Sequence, residues 1–202
     1  MLRTCADVSD RIRFVEPHDA AAIAAIYAPI VAGTWISFEE VPPGESEMRE
    51  RIEHAAGSWP FLCIERTGGI AGYAYASPHR ERASYRWSVD VSVYVHEGCR
   101  RTGVARRLYE TLFAILREQG YYNAFAGITL PNDASVGLHH RLGFNDVGIY
   151  RNVGYKLGAW RDTIWMQRGL KDARGVPSEP IALRALAGTD LGNWFKLRVP
   201  PP

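Results

Sequence analysis

The stretch from Trp87 to Val95 constrains this chain more than any other. Val89, Val91, Val93 and Val95 alternate with Ser88, Asp90, Ser92 and Tyr94, the period-two pattern of a β-strand with one apolar face. A single carboxylate, Asp90, lies on the opposite face. After a loop rich in arginine and glycine the period changes. Apolar residues at 104, 105, 108, 109, 112, 115 and 116 fall on one side of a helix that Gly120 stops. A half-buried strand feeding an amphipathic helix buries both apolar faces by packing helix on sheet, so the chain is predicted to be mixed α/β.

The rest of the sequence extends that pattern. Ile12 to Val15 predicts a first strand, and residues 20–32 a helix, with Ile23, Ile26, Tyr27 and Ile30 on one face and Asp19 as N-cap. Gly33 to Phe38 reads as extended, and Glu45 to Ala56 as a charged helix with Met48, Ile52 and Ala55 inward. Residues 61–65 and 70–76, around Thr67-Gly68-Gly69, predict an antiparallel hairpin. Ala124 to Leu130 predicts a strand, Ala134 to Leu142 a short helix ended by Gly143, and residues 144–150 and 163–167 the last strands. Residues 1–11 are expected to be a leader, 12–170 one domain, and 171–202 a tail interrupted by a short helix near Ile181–Ala187.

Composition narrows the function classes. Twenty-four basic against 22 acidic residues leave a net charge of +2, too little for a broad nucleic-acid footprint, so any anion site is built locally. No apolar run approaches the ~20 residues of a membrane span, and the charged first twenty positions lack a signal-peptide core. Cys5, Cys63 and Cys99 are odd in number and form no CxxC pattern. No disulfide framework or metal site is expected, and a cytoplasmic location is.

The loop Arg100-Arg101-Thr102-Gly103-Val104-Ala105 carries the first chemical signal. Backbone N–H groups crowded at a helix N-terminus make an anion cradle suited to a pyrophosphate. A solvated basic turn is the alternative on the hexamer alone. No GxxxxGK[ST] or GxGxxG pattern is present.

Arg100-x-x-Gly103-x-Ala105 after Val93-Tyr94-Val95 resembles the acetyl-CoA signature of the GNAT N-acetyltransferase superfamily. Residues 130–144, Leu130-Pro131-Asn132-Asp133-Ala134-Ser135 onward through His139 to Phe144, resemble its second motif. Residues 153–162 resemble a C-terminal segment of the phosphinothricin and methionine sulfoximine N-acetyltransferase branch, and the likeness spans roughly residues 12–170. The resemblance implies an α/β GNAT fold, a central mixed and mostly antiparallel sheet flanked by helices and splayed where acetyl-CoA binds. It implies direct acetyl transfer to the amine of a small amino-acid-like acceptor, without a covalent enzyme intermediate.

Site roles follow from the same resemblance. Val93, Tyr94 and Val95 would pair with the pantetheine arm. Arg101, Thr102, Gly103, Val104, Ala105 and Arg106 would hold the pyrophosphate. Asn132 would bond the coenzyme near its pantetheine amides, or else simply cap the following helix. Asp90 is the candidate base acting through water, where the family usually has glutamate; the alternative is a structural carboxylate paired with Arg86 or another nearby cation. His139 is a proton carrier or substrate contact, or a helix residue packed on the core. Cys99 is a spectator.

Acceptor recognition needs a cation and an aromatic wall. Arg80 and Arg82 are candidates for the first, with Arg80 as the preferred carboxylate anchor. Phe38, Tyr85 and Trp87 are candidates for the second. The basic segment before the strand favours an acidic or zwitterionic acceptor over a polyamine or aminoglycoside. A protein N-terminus as acceptor, or a non-catalytic acyl-CoA-binding module, are the competing readings. Branch members resemble dimers, so a homodimer is expected, with neither nucleic acid nor membrane as partner.

Overall fold

The protein is described by a computed structural model over residues 10–187 and 189; the expected leader lies almost entirely outside these residues, as does the end of the expected tail. The strands are β1 (Arg11–Phe14), β2 (Phe61–Arg66), β3 (Gly69–Pro78), β4 (Ser88–Val95), β5 (Asn123–Thr129), β6 (Asn145–Lys156) and β7 (Ala159–Gly169). They form one seven-stranded sheet in the order β1-β2-β3-β4-β5-β7-β6. Every neighbouring pair is antiparallel except β4 with β5. The helices are α1 (Ala20–Gly33), α2 (Glu45–Ala55), α3 (Val104–Glu118) and α4 (Asp133–Arg141). The mixed α/β class and mostly antiparallel sheet agree with the sequence.

The alternation in β4 divides the interior. Val89 and Val91 are buried with Leu108, Leu112, Phe113 and Leu116 of α3, and Val93 and Val95 pack against the same cluster. On the opposite face, Tyr94 packs with Tyr73, Phe61 and the inward residues of α1 and α2. Each fully buried leucine of α3 contributes about 1.5–3 kcal/mol by leaving water. That burial, rather than helix propensity, fixes α3 under the sheet.

Three local expectations need correction. Asp19 does not cap α1 with its side chain. Its carboxylate accepts from both terminal nitrogens of Arg13 (2.7 and 2.9 Å) and from the Glu16 N–H (2.8 Å), closing a single 3₁₀ turn at Pro17–Asp19. Residues 34–41 form bends rather than a strand. They are held by Lys156, whose buried Nζ donates to the carbonyls of Val31, Ser37 and Glu39 at 2.6–2.7 Å. Finally, β6 and β7 extend into one long hairpin, turning at Leu157 and Gly158 with φ of +52° and +74°.

The described part of the expected tail is docked on the domain. Arg86 and Glu179 form a two-pronged ion pair (2.6 Å each), and the Trp87 indole donates to Ser178 O (2.9 Å). Gln119 Nε2 donates to Ser58 O and Ile181 O, while the Ile181 N–H donates to Gln119 O. The short helix is a 3₁₀ turn, Leu183–Leu186, with both leucines buried.

Candidate active site

The site begins where β4 and β5 part. Their parallel register runs Ser88↔Asn123, Val89↔Ala124, Asp90↔Phe125 and stops there. Beyond it β4 keeps β3 as far as Val95, and β5 keeps β7 as far as Thr129. Ser88 O accepts from the His79 N–H, and the His96 N–H donates to Ala71 O. Even-numbered residues of β4 therefore direct their backbone groups toward β3, and alternation directs those of Val91, Val93 and Val95 into the gap. Consistent with this, Val91 O is approached by the Tyr109 hydroxyl (3.4 Å). The gap holds a cavity of about 60 Å³ lined by Val91, Tyr94, Ala126, Thr129, Asn132 and His139, among others.

The anion cradle stands at the end of the same strand. Arg101 and Gly103 adopt left-handed backbone, φ +62° and +84°. A Cβ on Gly103 would meet nothing within 4 Å, so glycine is needed there for its conformation rather than for room. The first backbone N–H of the turn to find an intrahelical carbonyl is that of Arg107, on Gly103 O (3.1 Å). Those before it in the first turn are available to an anion. Arg107 and Arg66 are both engaged with Asp10, and Arg66 also donates to the Thr102 hydroxyl (3.1 Å). Arg106 pairs with Glu110 (2.7 Å). Arg100 and Arg101 carry no ion pair among the described residues and leave the turn net positive.

His139 enters the gap from the α3 side. It is 3% exposed, its Nδ1 lies 2.8 Å from Ser135 O and its Nε2 3.2 Å from the Tyr109 hydroxyl. Burial holds its pKa below the ordinary imidazole value, so the ring is neutral near pH 7. Burial pushes the Tyr109 phenol upward, so that hydroxyl remains protonated. Asn132 caps α4, its side chain accepting from the Ser135 N–H (3.2 Å). The capping reading is thus met, and the residue also lines the cavity in the gap.

Asp90 enters from the other face, and its partner is not Arg86. The carboxylate lies 2.6 Å from His79 Nδ1. Burial raises its pKa above the ordinary carboxylate value, and the hydrogen bond from His79 opposes that rise. His79 stacks on Phe125 (4.1 Å, 11°) and meets the edges of Tyr85 and Trp165 at 6.0 Å. Arg80 lies over Trp165 at 5.3 Å. Asp90, Arg80 and Tyr85 are thus brought together around a residue the sequence reading passed over.

The remaining acceptor-side candidates separate. Arg82 is exposed and its side chain has no partner among the described residues. Phe38 lies against Gly154 of β6, where a Cβ would come within 2.5 Å of its ring. Trp87 stacks with Arg86 (3.9 Å) beside the docked C-terminal segment, away from the aromatic cluster around His79. A cavity of about 450 Å³ opens under α2, lined by Tyr27, Met48, Arg51, Tyr73, Tyr75 and Ser77, among others. Tyr75 and Ser77 are register partners of Ser92 and Asp90, so this room adjoins the Asp90 face.

Two residues in contact with the expected site positions were not singled out from the sequence. Tyr109 was counted only as part of the apolar stripe of α3. His79 sits diagonally across from Asp90, a relation visible once Ser77 is set opposite Asp90 in the β3–β4 register. Among the described residues, no group of three or more His, Cys, Asp or Glu could hold a metal ion. No helix among them is long and apolar enough to cross a membrane.

Residues 12–165 match the family described as Acetyltransferase (GNAT) domain. The chain is 41% identical over 161 residues to a phosphinothricin N-acetyltransferase of Alcaligenes faecalis, covering 79% of this chain and 82% of the relative. It is 33% identical over 172 residues to an L-methionine sulfoximine/L-methionine sulfone acetyltransferase of Pseudomonas aeruginosa, covering 84% of this chain and all of that one. Among solved structures, a GNAT superfamily phosphinothricin acetyltransferase of Sinorhizobium meliloti in complex with acetyl-CoA superposes with a TM-score of 0.81 at 32% identity. That alignment covers 86% of this chain and 96% of the other.

Proposed function

Because the chain belongs to the GNAT acetyltransferase family, we propose that it moves acetyl from acetyl-CoA to the α-amine of a small amino-acid-like acceptor of the phosphinothricin or methionine sulfoximine type. It is an acetyl-CoA-dependent N-acetyltransferase. The observation that carries the reading is the parting of β4 from β5 just past Asp90↔Phe125, beside a turn whose N–H groups await an anion.

Acetyl-CoA supplies the activated acyl carbon. The residues present suit it: the N–H groups of residues 101–106 for its pyrophosphate, the free edge of Val93 and Val95 for its amide-bearing arm, with Tyr94 between them turning its own backbone groups to β3, and Asn132 at the mouth. On the acceptor face, Arg80 supplies a cation for a carboxylate, Tyr85 an aromatic wall, and the cavity under α2 supplies room. The acceptor α-amine, with a pKa of about 7.7–8.0 when free, sheds a proton toward Asp90. On the far side, the Tyr109 hydroxyl and Nε2 of neutral His139, whose Nδ1–H donates to Ser135 O, form a buried pair that can relay a proton to the departing thiolate. An acceptor with a carboxylate suits Arg80 better than a polycation does.

The test is to follow coenzyme A release with phosphinothricin, methionine sulfoximine and a panel of other amines. Turnover of either named compound at millimolar concentration is expected. Turnover confined to polyamines or peptide N-termini would reject the acceptor class while leaving the acetyltransferase in place.

A homodimer belongs to the same reading. β6 is an edge strand, and Val147, Val153, Tyr155 and Trp160 of the β6–β7 hairpin are exposed, an apolar face that a second copy would cover. Light scattering should give twice the chain's 22.6 kDa; a monomer mass at micromolar concentration would remove this part. The buried thiols of Cys63 and Cys99 suit a reducing compartment such as the cytoplasm.

A further inference from the structure

Asp90 does not meet its surroundings alone. One carboxylate oxygen is committed to His79 Nδ1 at 2.6 Å. The imidazole is fixed in orientation by its stack on Phe125 and by the edges of Tyr85 and Trp165. Its side chain is 10% exposed, yet Nε2, on the far side of the ring, has no protein partner among the described residues. Phe125 is the last residue of β5 paired with β4, so the imidazole is stacked at the apex of the gap. A carboxylate behind one nitrogen of a clamped imidazole, with the other nitrogen open, is the arrangement of a base and its orienting group.

We infer that His79 and Asp90 form one proton-accepting unit, in which His79 Nε2 takes the proton of the acceptor ammonium and Asp90 orients and stabilises the imidazolium through Nδ1. This rests on the acetyltransferase reading and adds a residue to it. In the step, an N–H bond of the ammonium breaks and its proton passes to Nε2, directly or through one water. The freed lone pair forms the N–C bond to the thioester carbonyl carbon, and the C–S bond breaks. A second amine proton ends on the thiolate, and the imidazolium later returns its proton to water.

The surroundings suit this role. The other charged or titratable groups near the pair are Arg80 from the same loop, Tyr85 from the 3₁₀ turn at Ala83–Tyr85, and Tyr75 from β3. β5 and β7 contribute Phe125 and Trp165, which carry no charge. Among the described residues, the anion at hydrogen-bond distance from the imidazolium is Asp90.

The test uses the full chain, acetyl-CoA and an acceptor that the wild type turns over, with kcat/KM followed from pH 5.5 to 9. His79→Phe keeps an aromatic ring to stack on Phe125. His79→Gln keeps a donor to Asp90 without a group that takes up protons. Each variant, like Asp90→Asn, is expected to lower kcat/KM at pH 7.5 by about 100-fold and to displace the acidic limb of the profile. The His79→Phe/Asp90→Asn double variant should fall within about threefold of the worse single variant, as for groups acting as a unit. If both His79 variants stay within threefold of wild type with the limb unmoved while Asp90→Asn is crippled, His79 only packs and the inference is overturned. Losses that multiply in the double variant overturn it too. A wild type that acetylates no amine overturns this inference and the proposed function together; an active one with indifferent His79 overturns this inference alone.

Discussion

The two halves of β4 share one sequence rule and live in different surroundings. From Ser88 to Asp90 the strand has neighbours on both sides, and from Val91 to Val95 on one. Valine alternates with a polar or aromatic residue throughout, so side-chain pattern does not set where the sheet opens. What differs is the neighbour. β5 is matched to β7 along its whole length, Asn123↔Gly169 to Thr129↔Thr163, and β4 to β3 along its own. Each strand is secured by its outer partner, and the inner pairing can lapse without unravelling either. Unmet backbone groups inside a protein are costly, so the open half is a place that a ligand with its own amides would complete.

Several measurements would break or sharpen this contrast. The largest effect is expected at the boundary itself: Asp90→Asn should lower kcat/KM by roughly 10²–10⁴, read from coenzyme A release across pH 6–9, and full activity would strip Asp90 of its role. Next, Gly103→Val places a β-branched residue at φ +84°, at a cost of about 1–3 kcal/mol in the cradle. Calorimetry should show acetyl-CoA binding weakened at least tenfold while Asp90 chemistry at saturating coenzyme is preserved; unaltered affinity would move the pyrophosphate elsewhere. Third, acetyl-CoA at 100 times its Kd should add about 2.7 kcal/mol, a rise of roughly 5–10 °C in Tm for a chain of this size. Hydrogen exchange protection should grow in Val91–Val95 and not in Ser88–Asp90.

The smallest effect concerns His139. Its folded pKa is depressed by burial, so the unfolded chain binds a proton that the folded chain refuses. Stability from this group is complete above the unfolded value of about 6.5 and is lost as pH falls from there toward the folded value, with a slope of at most about 1.4 kcal/mol per pH unit. Denaturant titrations between pH 5 and 7.5 should show the loss, and His139→Gln should flatten it. A wild-type curve as flat as the variant's would mean the ring is not buried neutral.

Much of the fold was legible because it follows from periodicity. The valine alternation and the α3 stripe located the central strand, the cradle and the helix that supports it. The β6–β7 hairpin was not, since its turn has Leu157 at φ +52°, a position where asparagine or glycine would have announced it. The site was legible where a residue's role is local, as with Asn132 at a helix start and Gly103 in the turn. It was hidden where the role depends on register. Arg86 is closer to Asp90 in sequence than His79 is, but the β3–β4 pairing sets Ser77 opposite Asp90 and brings His79 to the carboxylate, while Arg86 turns to Glu179. Tyr109 was hidden by its own hydrophobicity.

The contact between Phe38 and Gly154 links two parts of the chain that are distant in sequence. A methyl group at position 154 would begin 2.5 Å from the ring, so Phe38 keeps its pose only while the hairpin presents bare backbone there. The bends after α1 are consequently coupled to the hairpin: a single methyl added to β6 forces the ring to shift, and the bends must give way around it although none of their own residues has changed.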